Sequence, residues 1–348
     1  MSLLLLHSAL AAGAVPITPA YEGNCQSPRW SADGSQLAYE VNFHDQKRVE
    51  LYIYKPGAAP TRVQPVGKGA SGITSGFSGA GDQSVVHELS WSPPFMNSFV
   101  YSASGDNRDY EIYLSGGSTI SPSPAADGGS AWSPDGRWIG FTSARTGQGD
   151  IYLLDVNDLT APPSRITTDA TASELYIAWA PDSAAMAYVG HTKTGDTIYV
   201  VDDLASPKPR KVASLGHTQT RPSFSPDGAW IAFYSNHEDT ERFDLLVVPV
   251  GGGKPSAVHK GVVLNHDGPA WTPESELVYV VDDDEAFDPV YRSAVGGSPK
   301  RVDTGTVGNS DLDVSVGTDG TLYLAVAAQG RERDEERSFK RIYVMPLD

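Results

Sequence analysis

One short motif recurs seven times along the chain, and it constrains the fold more than any other feature. Six copies place a large aromatic residue before a turn of four residues, which reads Ser-Pro-Asp-Gly after Trp132 and Phe224 and varies in the others. Successive copies lie 61, 41, 47, 45, 47 and 45 residues apart. The anchor residues of the seven copies are Trp30, Trp91, Trp132, Trp179, Phe224, Trp271 and Val316. A period of roughly 40–50 residues with turn signals indicates the blades of a β-propeller.

Each copy continues with the same succession of apolar segments. The turn is followed by a short apolar strand such as Ile139–Phe141, then by a third strand such as Asp150–Leu153 and a weaker edge strand. Proline presets φ in the turn and glycine accepts a positive φ, so these repeated residues are architectural. We therefore predict an all-β fold: a seven-bladed β-propeller with four-stranded antiparallel blades.

The quoted repeats resemble those of the TolB-type (WD-like) β-propeller family, and the resemblance extends over nearly the whole chain. Two copies depart from the pattern, because the second reads Ser-Pro-Pro-Phe and the seventh lacks both the aromatic anchor and the proline. The resemblance implies the propeller fold and is nearly silent about function. It favours a periplasmic or secreted protein, with a cytoplasmic location as the alternative.

The repeats predict one propeller domain over residues 1–348. Blades are expected to start near residues 24, 87, 128, 174, 219, 265 and 310. The last copy ends at its third strand, so residues 15–18 are predicted to complete it and close the ring. Residues 3–7 form either a further strand or the apolar core of a signal segment.

Composition narrows the classes of partner. Lys and Arg total 26 against 43 Asp and Glu, giving a net charge of −17, which argues against nucleic-acid binding. Cys25 is the single cysteine, so no intramolecular disulfide forms. No uninterrupted apolar run is long enough to span a membrane, and we expect a monomer without membrane insertion.

Polar side chains cluster where the innermost strands begin, at the mouth of the central channel. The predicted ligand-binding set is His87, Glu88, Glu174, His217, Arg221, His266, Asp267 and Asp311. These residues indicate either a ligand site or a water-filled mouth with compensating ion pairs. No cofactor is implied with certainty, but a divalent metal held by His87, His217 and His266 with a carboxylate is left open.

Insertions concentrate on the same face of the predicted ring, including the Gly/Ser-rich residues 67–83 between the first two blades. One-sided insertions usually mark the binding face of a repeat protein. We therefore expect a non-catalytic binding or scaffold propeller that recognises a peptide, protein or small molecule there. The alternative is a lyase or hydrolase with channel-sited His and carboxylate residues, with or without a metal.

Overall fold

A computed structural model describes residues 14–63, 86–104, 110–283, 287–330 and 339–347. The strands form seven antiparallel sheets, which are the blades of the propeller. The first and innermost strands are Asn24–Trp30, Val86–Trp91, Asp127–Trp132, Ser173–Trp179, Gln219–Phe224, Ala270–Trp271 and Leu312–Val316. The second strands are Leu37–Phe43, Phe99–Ser104, Trp138–Ser143, Met186–Thr192, Trp230–Ser235, Glu276–Val280 and Leu322–Gly330.

The outer half of each blade is less regular. The third strands are Arg48–Tyr54, Tyr110–Leu114, Asp150–Asp155, Gly195–Val201, Phe243–Pro249, Val290–Ala294 and Arg341–Pro346. The fourth strands of blades 1 and 3–6 are Thr61–Arg62, Ser164–Arg165, Arg210–Ala213, Ser256–Val262 and Lys300–Val302. In blade 2 the fourth position is reduced to a single bridge between Tyr113 and Thr119.

The ring closes through the N-terminal strand, as the sequence predicted. Val15–Pro16 pairs with the third strand of blade 7, with Val15 opposite Val344, and so becomes the outermost strand of that blade. The Ile17 N–H extends the pairing by donating to the Ile342 carbonyl at 2.9 Å. A short strand, Thr306–Val307, also pairs with the end of Leu322–Gly330. The predicted strand or signal segment at residues 3–7 lies outside the described residues.

Short helices and turns connect these strands. The described helices are three 3₁₀ segments, His44–Gln46, Pro94–Met96 and Val156–Asp158. No helix in the described ranges has the length and hydropathy needed to cross a bilayer. The predicted glycine turns are present, since Gly34, Gly136, Gly228 and Gly320 all have positive φ.

The core is divided among the blade interfaces. Seven clusters of buried apolar residues in the described chain each join two neighbouring blades, and Trp132, Trp179 and Phe224 belong to three of them. Trp91, Trp179 and Trp271 also donate their indole N–H to the preceding blade, at 3.0 Å in each case. The anchors are therefore scaffold, which leaves function to residues outside the repeated pattern.

Candidate functional site

A backbone bulge recurs on the innermost strands, three residues before the anchor. The residue at this position has positive φ in blades 1–6, and five of these strands shift register against their partners there. The six residues are Ser27, Glu88, Gly129, Tyr176, Arg221 and Gly268. A bulge redirects the local side chain, here along the wall of the channel. A non-glycine residue at positive φ costs about 1 kcal/mol or more, so four of these positions keep their side chains at the expense of stability.

A recess of about 250 Å³ lies at the mouth of the channel where blades 6, 7 and 1 meet. Arg29 contributes from blade 1, Asp267 and Gly268 from the segment that leads into blade 6, and Asp313 from blade 7. The Arg29 guanidinium Nη2 lies 2.7 Å from Asp267 Oδ1. The other carboxylate oxygen, Asp267 Oδ2, is buried and accepts no hydrogen bond from the described residues. Asp267 therefore lines the recess with one oxygen paired to Arg29, while its other oxygen is closed to solvent and has no donor among the described residues.

Two further carboxylates reinforce the negative character of this region. Asp313 accepts the Trp30 N–H at 2.8 Å, and burial, with a contribution from Asp267, raises the pKa of Asp313 to about 6. Burial and the charge of Asp267 likewise raise the pKa of Glu40, on the second strand of blade 1, to about 7. Desolvation is the larger cause of both raised pKa values, and the smaller coulombic contribution shows that both acids lie close enough to Asp267 to be affected by its charge. A positively charged group entering the recess would offset that repulsion between the acids.

The Glu40 and Glu88 carboxylates also join neighbouring blades. Glu40 Oε1 accepts the Glu88 N–H at 3.0 Å, and Glu88 Oε2 accepts the Gly129 N–H at 2.8 Å. Gln26 Nε2 donates to the second Glu40 oxygen at 3.0 Å. Each bond runs from a carboxylate to the bulge or the strand beside it, so these acids fix the shape of the channel wall over blades 1–3.

A histidine–aspartate pair lies on the segments that enter blades 6 and 7. His266 Nδ1 is 2.7 Å from Asp311 Oδ1, and the same oxygen accepts the His266 backbone N–H at 2.9 Å. The hydrogen bond that Asp311 accepts raises the pKa of His266, while His266 holds the pKa of the buried Asp311 carboxyl below its usual range. The His266 side chain is 56% exposed, so Nε2 is left for solvent or a ligand.

Arg221 occupies the bulge of blade 5. Its guanidinium carbon lies 4.2 Å from the ring centroid of Tyr176, which occupies the bulge of blade 4. No carboxylate of the described residues is paired with Arg221. Gly268 separates it from the recess, because a Cβ on Gly268 would lie 3.3 Å from the Arg221 carbonyl oxygen.

The other predicted site residues lie elsewhere. Glu174 is 1% exposed, and Thr167 Oγ1 donates to it at 3.1 Å. Burial, with smaller contributions from neighbouring acids, raises the pKa of Glu174 to about 7. His217 is exposed, and its carbonyl accepts the Asp196 N–H at 2.8 Å. The side chain of His87 lies outside the described residues.

The described residues contain no metal site built from the three predicted histidines. Within the described ranges, no group of three or more His, Cys, Asp or Glu residues is close enough to hold a metal ion. The metal site suggested by the sequence therefore stays a prediction. His266 is engaged by Asp311 instead, which fixes the ring through Nδ1.

Sequence reasoning missed three residues of the channel mouth, namely Arg29, Glu40 and Tyr176. The first two are departures from the repeat. The residue before the anchor is Ser or Ala in blades 2–6 and Arg29 in blade 1. The residue after the buried second-strand aromatic is uncharged in blades 2–6 and Glu40 in blade 1. Comparison of the copies position by position would have identified both.

The strand order, the repeats and the closing strand define a seven-bladed β-propeller, and they support the TolB-type resemblance seen in the sequence. Residues 202–330 match the family described as the lipoprotein LpqB beta-propeller domain. A stretch of 121 residues is 31% identical to dipeptidyl-peptidase 5 of Porphyromonas gingivalis, and it covers 31% of this chain and 17% of that enzyme.

Two solved structures share the architecture. TolB from Acinetobacter baumannii has a TM-score of 0.54 at 17% identity, covering 78% of this chain and 65% of that one. A puromycin-hydrolyzing peptidase of Mycobacterium tuberculosis has a TM-score of 0.61 at 12% identity, covering 90% and 53%. At these identities the likeness establishes the fold alone. The chain spans less than two thirds of the length of each relative named here.

Proposed function

We propose that this chain is a non-catalytic binding propeller that recognises a protein or peptide through a lysine or arginine side chain seated in the recess. The observation that supports this most directly is the pairing of the Asp267 carboxylate. Arg29 pairs with one oxygen of its carboxylate, while the other is buried and has no donor in the part of the chain that the structure describes. A buried acceptor without a partner costs about 1–3 kcal/mol. The Asp267 side chain is 19% exposed but Oδ2 itself is closed to solvent, so a ligand N–H offsets this cost through a local rearrangement around Asp267.

Charge and shape support a cationic group over a neutral one. Asp267, Asp313 and Glu40 place three acids near the single guanidinium of Arg29, and the whole chain carries a net charge of −17. Such a field draws positively charged groups toward the channel. The volume of about 250 Å³ suits the end of one side chain rather than a folded segment. The rest of the partner would then lie over the loops around the mouth.

The location and assembly of the protein are part of the same proposal. The match to the lipoprotein LpqB propeller supports a place outside the cytoplasm. We propose a monomer, because the seven blades close the ring within one chain and leave the recess complete. Fractionation of cells and the mass of the purified chain in solution test these two points.

The recess is tested by titrating the full chain with acetyl-Gly-Lys-Gly-amide, which carries one positive charge and no free terminus. We expect saturable binding in calorimetry, weakened at least tenfold by Asp267→Asn. Asp202→Asn is the matched control, because Asp202 also pairs with an arginine, Arg210, but is exposed on the outside of blade 4. Absence of binding, or equal losses in the two variants, would refute the recess as the site.

An enzyme remains the second candidate because His266 is oriented by a buried aspartate, as in many general bases. Similarity to two peptidases favours hydrolysis over elimination as the reaction. The peptide used for titration is also the substrate to test, with products followed by mass spectrometry. Cleavage that is lost in His266→Gln would favour this function, and an intact peptide after prolonged incubation with the wild-type chain would count against it.

A further inference from the structure

Arg221 is a cation on the innermost strand of blade 5, in a protein with a net charge of −17. Other described arginines, such as Arg145 and Arg165, lie 2.8 Å from a buried carboxylate. Arg221 instead stacks on Tyr176 at 4.2 Å and has no carboxylate partner among the described residues. Stacking on an aromatic face fixes the plane of a guanidinium while leaving its N–H groups available.

The backbone beneath this pair is unfavourable in both residues. Tyr176 has φ of 57° and Arg221 has φ of 55°, whereas the corresponding residues of blades 3 and 6 are Gly129 and Gly268. Bulky residues rarely adopt this conformation. Two neighbouring blades therefore retain large side chains at strained positions, and those side chains pack on each other. Strain retained in this way is characteristic of functional positions.

A second donor lies close to Arg221. Gly268 approaches the Arg221 main chain and Cβ, and His266 is two residues before it. The charge of Arg221 acts on His266, lowering its pKa against the larger raising effect of Asp311. Asp311 accepts from Nδ1 of His266, whose side chain is 56% exposed, so Nε2 is the nitrogen left to donate when the ring is protonated, a state that Asp311 favours by raising the pKa of His266. Planar guanidinium and imidazole donors together suit a carboxylate, which accepts two parallel hydrogen bonds.

We propose that Arg221 and His266 form a carboxylate-binding site, so that the ligand of the channel mouth carries a carboxylate as well as a positive charge. The positive charge of that ligand rests on the proposed function, whereas the carboxylate site does not. A peptide with a free C-terminal carboxylate, or with an acidic side chain beside a basic one, has the required chemistry. Gly268 links the carboxylate site to the recess, because it lines the recess and packs against the main chain of Arg221.

The carboxylate site is tested with N-acetylglycine, which carries one carboxylate and no positive charge. Its titration into the full ¹⁵N-labelled chain should shift the Arg221 Nε and His266 ring resonances in a saturable manner. The neutral N-acetylglycinamide should leave both unchanged. An aspartate blocked at its amine and α-carboxyl carries only a side-chain carboxylate. Comparing its affinity with that of N-acetylglycine shows whether the site prefers an acidic side chain or a C terminus.

Substitutions separate this site from the recess. We expect Arg221→Gln to weaken N-acetylglycine binding at least tenfold and Arg221→Lys at least threefold, because lysine keeps the charge but loses the planar fork. Arg137→Gln is the matched control, since Arg137 also stacks on an aromatic ring, Trp138 at 4.7 Å, but follows a tight turn on the opposite face. Asp267→Asn should leave N-acetylglycine binding undiminished.

The outcomes are distinguishable. If N-acetylglycine binds and the lysine peptide does not, the carboxylate site survives and the recess proposal fails. If N-acetylglycine gives no saturable shift, or if Arg137→Gln weakens it as much as Arg221→Gln, the carboxylate site is refuted whatever the recess does.

Discussion

One buried hydroxyl, that of Thr18, reinforces closure of the ring beside the backbone pairing of the N-terminal strand. This residue follows the closing strand and is 1% exposed. Its Oγ1 accepts the backbone N–H of Ile342 at 3.2 Å, and the Cys25 thiol donates to the same oxygen at 3.8 Å. The Thr18 carbonyl also accepts Arg341 Nε at 3.0 Å. The threonine therefore ties both termini of the chain to the first blade.

We predict that Thr18→Val destabilises the protein while preserving its shape. Valine has the same branching as threonine but cannot accept a hydrogen bond, so the buried Ile342 N–H loses its partner. An orphaned buried donor costs about 1–3 kcal/mol. With an unfolding entropy of about 2 cal/mol/K per residue, that range lowers the Tm of a chain of this length by roughly 1.5–4 °C.

Chemical denaturation of the wild-type and variant chains measures the change in the free energy of unfolding. Thr18→Ser keeps the hydroxyl and should recover most of the lost stability. Thr61→Val is the control for the substitution itself, because Thr61 is exposed on the edge strand of blade 1. If Thr18→Val were as stable as the wild type, or if Thr18→Ser were equally destabilised, the hydroxyl would not be what stabilises the closure.

Two further predictions concern buried charges. The folded-state pKa of Glu174 is raised to about 7 from an ordinary 4.5, so its contribution to stability is retained at low pH and lost as the pH rises through about 7. Glu174→Gln removes that titration. In denaturation experiments, the free energy of unfolding of the variant relative to the wild type should therefore increase between pH 5 and pH 8, by at most about 3 kcal/mol. A difference in stability that is independent of pH would contradict this prediction. Arg145→Met leaves the buried Asp127 carboxylate without its partner at 2.8 Å and should cost about 2–4 kcal/mol at pH 8. Adding Asp127→Asn should restore much of that stability, and a double variant no better than the single one would refute the pairing argument.

The fold could be predicted from the sequence because every blade repeats the same packing of side chains. An aromatic residue on the second strand stacks on its cross-strand neighbour in five blades, for example Tyr188 on Tyr199 at 5.3 Å. A requirement repeated every 40–50 residues leaves a periodic signal, and the incomplete last copy predicts where the closing strand must come from. The sequence carries no comparable signal for the bulges, because neither Tyr176 nor Arg221 is a residue type that indicates a positive φ.

The candidate site was harder to predict for a related reason. Counting back from each anchor identifies residues near the channel, but it does not say which way a side chain points after a bulge. Glu174 and Asp267 both precede an anchor, yet the first is enclosed beside Thr167 while the second opens into the recess. Only the three-dimensional arrangement shows that Arg29 leaves one oxygen of Asp267 unpaired.

The division between scaffold and site follows from where the propeller obtains its stability. The described apolar clusters lie between blades, and the anchor indoles bond across the same interfaces, so each blade is held by its neighbours rather than by the channel. The channel wall can therefore carry strain and unmatched charge with little risk to the ring. Among the described residues, Arg221 has no carboxylate partner and Asp267 Oδ2 has no donor, and Gly268 follows Asp267 and packs against Arg221. A ligand that carries both a positive and a negative charge would pair with both of these groups.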